Sequence, residues 1–297
     1  VTDPRLDIAR ARWGFGDAPM RLVAMRENHV YRVDLPEGPV ALRLHRPELR
    51  TRAELVSELQ WMTALATGGL TVPLPVTARD GALCAEAAGS LIDVVSWLDG
   101  EAMGRDGVLA ELADAEAAFA VLGGEMARLH DVSDRWTLPE GFHRPHWDVD
   151  GLVGETPLWG RFWDCAFLDD AQAALLRAAR EAARERLSAI AGTADYGLIH
   201  ADLVPENVLT GGNTVRLIDF DDGGFGFRLF DLATSANRAD RADPSGSLRR
   251  ALIDGYLARR AIDLTDLPLF QALRAFTYVG WISDRTDDRA RRAAPTA

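Results

Sequence analysis

Two apolar rhythms divide the chain. Between residues 21 and 46, three short runs rich in Val and Leu follow one another: RLVAM, HVYRVDL and PVALRLHR. They have the make-up of strands, and Pro36-Glu37-Gly38 reads as a hairpin turn between the second and third. TRAELVSELQWMTALATGG, from Thr51 to Gly69, predicts a helix: Thr51 and Glu54 form a capping box and Gly68-Gly69 end it. TVPLPVTARDGALCAEAAG returns to extended chain, with a turn at Asp80-Gly81. From about residue 100 the period becomes helical. Leu109, Leu112, Phe119, Leu122, Met126 and Leu129 recur at that spacing over 106–130. DDAQAALLRAAREAARERLSAI is a second amphipathic helix, capped by Asp169 or Asp170. LIHADLVPENVLTGGNTVRLIDFDD, residues 198–222, reads as strand, loop and hairpin, turning at Thr210 to Asn213. Helices follow at 247–260 and 267–285, and the tail 286–297 reads as frayed. The order predicts an α+β fold of two lobes. Residues 1–95 form a small antiparallel-sheet lobe with one helix, and 96–297 a larger, mostly helical lobe.

The apolar runs within 198–222 each stop abruptly in charge, at Asp202 and at Asp219, with Asn207 between them. The spacing His200-x-Asp202-x-x-x-x-Asn207 matches the H-R-D-x-x-x-x-N catalytic loop of kinases, and Asp219 follows on the next strand like the Asp of D-F-G. Phosphoryl transfer needs a carboxylate that orients a hydroxyl and accepts its proton, which suits Asp202. It also needs hard oxygen ligands for Mg²⁺, which suits Asn207 and Asp219. A hairpin folding back at 210–213 would bring these last two to one end of a pair of strands.

The first half offers an independent check. Val40-Ala41-Leu42-Arg43 has the pattern V-A-I-K with Arg in place of Lys. In an alternating strand Ala41 and Arg43 share a face, a small residue for adenine packing beside a cation for phosphate. Glu58 lies in the middle of the stripe formed by Leu55, Met62 and Leu65. A carboxylate so placed calls for a buried cationic partner, and Arg43 is the expected one. No G-x-G-x-x-G is present. Arg26-Glu27-Asn28-His29-Val30-Tyr31 occupies the hairpin position, where Asn28 is the candidate for a backbone contact with phosphate.

With V-A-L-R, a helix Glu, LIHADLVPENVL and LIDFDD in order, the chain resembles the aminoglycoside phosphotransferase-like superfamily. This is the protein-kinase-like group that holds choline, homoserine and hydroxylysine kinases and a bacterial stress-response kinase. The resemblance runs from about residue 20 to 285. It implies ATP and Mg²⁺ as cofactors, with Asp202 as base, Asn207 and Asp219 as metal ligands and Arg43 as phosphate contact. By the same likeness Ser96, Trp97 and Leu98 form the adenine-reading hinge, and Asp231 braces the catalytic loop. Asp231 follows Asp222 by only nine positions, too few for the activation segment on which a protein kinase seats a peptide. A small hydroxylated acceptor is therefore expected. Protein Ser/Thr phosphorylation of the stress-response type is the alternative, and a non-catalytic nucleotide-binding module the third reading. Aromatic and acidic residues suited to an amine gather at Trp147, Asp148, Trp159, Phe162, Trp163 and Asp164, and again at Tyr278, Trp281 and Asp284. The candidate acceptor contacts are Trp281, Asp284, Tyr278 and Asp221.

Composition sharpens this picture only at its edges. Apolar residues are 47% and charged residues 26% of the 297, an ordinary globular balance. A formal charge of −12 argues against a nucleic-acid partner and an anionic membrane surface. No run approaches the roughly 18 uncharged apolar residues of a membrane span. The opening VTDPRLDIAR has no apolar core of a secretory signal, and the two cysteines form no framework. The expected location is the cytoplasm. Lysine is absent, so every long cation is an arginine.

Overall fold

The computed structural model describes the backbone of residues 3–25, 28–47, 49–211 and 214–293, and side chains within those ranges up to Ser283. Helix α1 (Pro4–Trp13) opens it, started by the Asp3 carboxylate on the Arg5 amide and stopped by Gly14 at φ +75°. Strands β1 (Met20–Met25), β2 (His29–Leu35) and β3 (Gly38–Leu44) follow, then α2 (Arg52–Thr67), β4 (Cys84–Ala87) and β5 (Ser90–Ser96). The strands form an antiparallel sheet in the order β1-β2-β3-β5-β4. Alternation on β3 sorts its side chains as the sequence suggests. Val40, Leu42 and Leu44 pack with Val33, Ile92, Val94 and with Ala9 and Phe15 from α1 and its exit. Ala41 belongs instead to the large core shared with Leu55, Leu59, Met62 and Leu65 of α2. The capping box forms as expected: Thr51 Oγ1 accepts from the Glu54 amide at 3.2 Å, and Glu54 Oε2 accepts from the Thr51 amide at 2.7 Å.

The stretch after residue 100 departs from the helical expectation. Strands β6 (Glu101–Ala102), β7 (Gly104–Arg105) and β8 (Val108–Leu109) come first, and α3 begins only at Ala115, running to Arg135. The cause is the pair Asp106-Gly107, whose φ values of +52° and +81° make a two-residue turn between β7 and β8. Leu109 is thus a strand residue, and Leu112 precedes the helix start.

The larger lobe continues with β9 (His146–Trp147), α4 (Val149–Val153), α5 (Asp170–Ile190), β10 (Tyr196–Ile199), β11 (Val208–Gly211), β12 (Thr214–Leu217), β13 (Gly224–Phe227), α6 (Arg228–Ala242), α7 (Ser247–Leu257) and α8 (Leu267–Ala293). Asp169 caps α5 through a capping box with Gln172. Helices α3 and α7 approach closely at Gly123 and Gly255, where a Cβ on either would strike a backbone carbonyl of the other helix. Helix α6 is almost wholly enclosed, with Leu229, Phe230, Leu232, Ala233, Ala236 and Ala239 in the core. Among the described residues no helix is long and apolar enough to cross a membrane. The hairpin tip at Gly212 and Asn213, the side chains beyond Ser283 and residues 294–297 lie outside the described residues. The backbone of 286–293, expected to fray, instead continues α8 to Ala293.

Candidate active site

β11 and β12 pair in register from Val208–Leu217 to Gly211–Thr214, and the Ile218 amide donates to the Asn207 carbonyl at 3.0 Å. This sets Asn207 and Asp219 at the same open end of the hairpin. Asn207 Nδ2 donates to Asp202 Oδ2 and to the Asp202 carbonyl, both at 2.9 Å, leaving its Oδ1 available to a cation. His200 joins the two loops: its Nε2 donates to the Ile218 carbonyl at 3.0 Å and its ring packs on Phe220. Burial holds the His200 pKa below its ordinary value, so the ring is neutral.

Both loops bend through positive φ, +66° at Ala201 and +66° at Asp219, where a side chain is disfavoured. Asp231 compensates at the first. Its carboxylate accepts from the amides of His200 at 2.9 Å and Ala201 at 2.7 Å, and meets His130 Nε2 at 3.1 Å.

Asp219 opens to the cleft and, among the described residues, has neither a hydrogen bond nor an ion pair. The protein packed around it, then the charges of Asp221, Asp202 and Asp222, push its pKa up to about 7. An acidic cluster short of positive charge, with unspent carboxylate and amide oxygens, suits a hard divalent cation. No three His, Cys, Asp or Glu side chains among the described residues form a cage by themselves. A Mg²⁺ site of the kinase type needs only one or two protein oxygens, the phosphates supplying others.

On the sheet side Arg43 and Glu58 do pair, Nη1 to Oε1 at 2.8 Å, with Glu58 fully enclosed. Asp93, directly opposite Arg43 on β5, takes a second share: Nε and Nη2 donate to its carboxylate at 3.1 and 2.9 Å. His45 Nε2 meets Asp93 Oδ1 at 2.6 Å. Two carboxylates therefore hold the guanidinium in place. Of the expected hinge, the Ser96 and Trp97 amides are already engaged by the carbonyls of Leu74 and Pro39, and the Trp97 ring carries the Arg32 guanidinium. Asn28 is buried with its Oδ1 unpartnered, while its neighbours Arg26 and Glu27 lie outside the described residues.

The acceptor candidates divide. Tyr278 stacks on Trp281, which neighbours Trp159. The Asp284 side chain is outside the described residues. Asp221 is buried toward Arg50, 3.5 Å from its Nε, and burial is outweighed by Arg50 and other cations that hold its pKa below the usual range. Asp222 is the carboxylate that reaches the aromatic wall, with Trp159 Nε1 at 3.3 Å and Arg50 Nη2 at 2.8 Å. Burial, against the pull of Arg50, raises its pKa to about 6. Of the other aromatics, Trp147 and Phe162 are core residues, and Trp163 is covered by Arg180 at 4.0 Å. Asp148 caps α4 and Asp164 pairs with Arg161.

Sequence reasoning missed four arginine and aspartate contacts. Arg274, from α8, bonds Asp202 Oδ1 through Nη2 at 2.5 Å and stacks on Trp159 at 4.4 Å. Arg50 ties Asp222 to the sheet lobe, Asp93 holds Arg43, and Arg144 sits beneath the Asp219 loop. Only Arg274 left a readable sign, a cation on the apolar stripe of Phe270 and Leu273. A concavity of about 700 Å³ beside His146, Asp148, Glu155 and Arg184 lies apart from these carboxylates. Two of its acids are occupied, Asp148 by the Gly151 amide and Glu155 by Arg180.

Known proteins share this plan. Residues 20–272 match the model of the phosphotransferase enzyme family, APH. A homoserine kinase of Acidiphilium cryptum is 30% identical over 294 residues, 93% of this chain and 86% of its own. The solved structure of a microcompartment-associated aminopropanol kinase is 32% identical with a TM-score of 0.80, covering 94% of this chain and 89% of its own. An amicoumacin kinase solved with AMP-PNP, Ca²⁺ and Ami shares the fold at a TM-score of 0.78 and 20% identity, over 95% of this chain and 85% of its own. The two lobes thus make a kinase-like α+β fold, and the chain belongs to the phosphotransferase enzyme family.

Proposed function

We propose that the protein transfers the γ-phosphate of ATP, with Mg²⁺, to the hydroxyl of a small amine-bearing molecule. The observation that carries this reading is the meeting of Asp202 and Asn207 at the hairpin end that also presents an unpartnered Asp219. Asp202, held through Oδ2 by Asn207 and through Oδ1 by Arg274, orients the acceptor hydroxyl and receives its proton. Mg²⁺ would lie on Asn207 Oδ1 and Asp219, where it neutralises phosphate charge. Arg43, fixed by Glu58 and Asp93, reaches toward phosphate oxygens with the N–H groups left over. Asp222 with Trp159, beside Trp281 and Tyr278, offers an acidic and aromatic wall to an ammonium group. Amine-bearing acceptors are also what the names of an aminopropanol kinase and a homoserine kinase among its relatives suggest.

The test is turnover of MgATP with amino alcohols, hydroxy amino acids and aminoglycosides, with a generic protein acceptor in parallel. Phosphorylation of at least one small amine is expected. Asp202→Asn should retain MgATP binding and lose roughly 10²–10⁴ in kcat. Label appearing on protein and on no small alcohol would overturn the acceptor class, and near-normal turnover by Asp202→Asn would remove it from the chemistry.

A further inference from the structure

Between the Arg43–Glu58 pair and the loop after Asp219 lies one enclosed guanidinium. Arg144, 1% exposed, comes from the segment ahead of β9. Its Nε donates to the Gly223 carbonyl at 2.6 Å, and its Nη2 to the carbonyls of Phe220 at 2.9 Å and Asp221 at 2.6 Å. Its Nη1 donates to the Glu54 carbonyl in the first turn of α2 at 3.0 Å. One planar fork therefore spans two elements, the helix that carries Glu58 and the loop that follows Asp219. A lysine could not bond four carbonyls in this way.

Glu58 is shared unequally. Its Oε1 accepts from Arg43, whereas Oε2 stands 3.5 Å from Arg144 Nη1 and is buried with no hydrogen-bond partner. Enclosed carboxylate oxygens are ordinarily bonded, and an approach of roughly 0.5 Å would complete this one. The loop has little room to absorb such a movement alone. Trp61, also on α2, meets Phe220 edge-on with centroids 5.3 Å apart, and a Cβ at Gly223 would lie 2.6 Å from the Trp61 ring. Helix and loop are thus in direct contact at Trp61.

We propose that Arg144 is a positioning residue that couples the Arg43–Glu58 pair to the aim of Asp219. When phosphate draws Arg43 and Glu58, Oε2 closes on Arg144, and the guanidinium transmits that shift through the carbonyls of 220, 221 and 223. The inference rests on the reading of Asp219 as a metal ligand. It adds that nucleotide and metal affinities depend on one another through a residue that touches neither.

Calorimetric titration of ATP into the full chain, in EDTA and in Mg²⁺, measures that dependence as a ratio of affinities. The wild type, Arg144→Lys, Glu58→Gln and the double variant are compared, each checked for folding by circular dichroism. Each single variant is expected to lower the Mg²⁺ enhancement at least tenfold, and the double variant no further than the worse single. Enhancement kept within twofold by folded Arg144→Lys, or losses that multiply in the double variant, would overturn the coupling. Hydrogen exchange of the 220–223 amides supplies a measurement independent of any Arg144 variant. Metal-free ATP should protect them in the wild type and not in Glu58→Gln, and equal protection in both would overturn the proposal. A wild type whose ATP affinity ignores Mg²⁺ would instead refute the metal role of Asp219 itself.

Discussion

His130 meets no solvent and spends both ring nitrogens inside the protein, Nδ1 on the Tyr256 hydroxyl at 2.8 Å and Nε2 on Asp231. Burial, then the charges of Arg228 and Arg260, hold its pKa well below 6.5. The folded state thus keeps this ring neutral while an unfolded chain protonates it, so its stabilising effect is present above pH 6.5 and lost as pH falls. His200 has the same sign, and Asp231, whose pKa burial raises, the opposite one. Below pH 6.5 one such histidine costs at most about 1.4 kcal/mol of stability per pH unit. Chemical denaturation of His130→Gln between pH 7.5 and pH 5 should accordingly show a shallower acid decline than the wild type, and parallel curves would contradict a neutral His130. Residues of this kind differ in how far the sequence discloses them. Asp202, Asn207 and Asp219 stand at fixed spacing just outside the ends of adjoining strands, so linear order carries their geometry. Glu58 shows as a charge on an apolar stripe, and Arg274 carries that sign too. Asp93 does not show, because its partnership with Arg43 depends on β5 lying beside β3, a non-local pairing. Arg144 bonds backbone carbonyls, which have no sequence signature.

Elements were legible where local signals agreed. Thr51, Glu54 and Gly68 bound α2 in the structure as in the sequence, and Asp169 caps α5. Helix α1 is hard to read from sequence, although Asp3 before Pro4 is a capping signal, because its few apolar positions form only a weak stripe. The start of α3 lies later than the sequence suggests, because apolar Leu109 and Leu112 extend the helical spacing backward toward a turn that Gly107 imposes. That turn matters to the candidate site: the Gly107 amide donates to Glu206 Oε1 at 2.6 Å, so the β7–β8 hairpin leans on the loop that carries Asn207, one residue away. Gly107→Ala forces a Cβ into positive φ and should cost about 1 kcal/mol or more in urea denaturation. If stability were unchanged, the hairpin would not require that turn in solution.

At the scale of the whole molecule, the absence of lysine has a structural counterpart in the interior. Arg43, Arg144, Arg228 and Arg274 are all buried, and each bonds through more than one nitrogen or over an aromatic face. Arg50 adds a tie between the segment leading into α2 and Asp222 of the larger lobe. Positive charge is thereby committed within the protein, while the whole chain carries a formal charge of −12. A field of that sign draws cations toward the cleft where Asp202, Asp219, Asp221 and Asp222 gather. If the acceptor is an amine, its capture should be assisted by this field, and salt should screen the assistance, since the screening length is about 10 Å at 0.1 M and shortens as salt is added. The expected outcome is a several-fold fall in kcat/KM for an amino alcohol between low and high sodium chloride, with little change for the matching uncharged diol under the same MgATP. KM should move more than kcat, because the field acts on encounter and binding rather than on the transfer step. Equal salt dependence for amine and diol would place the effect on MgATP or on the fold. The amine preference inferred from Asp222 and Trp159 would then lose its electrostatic support.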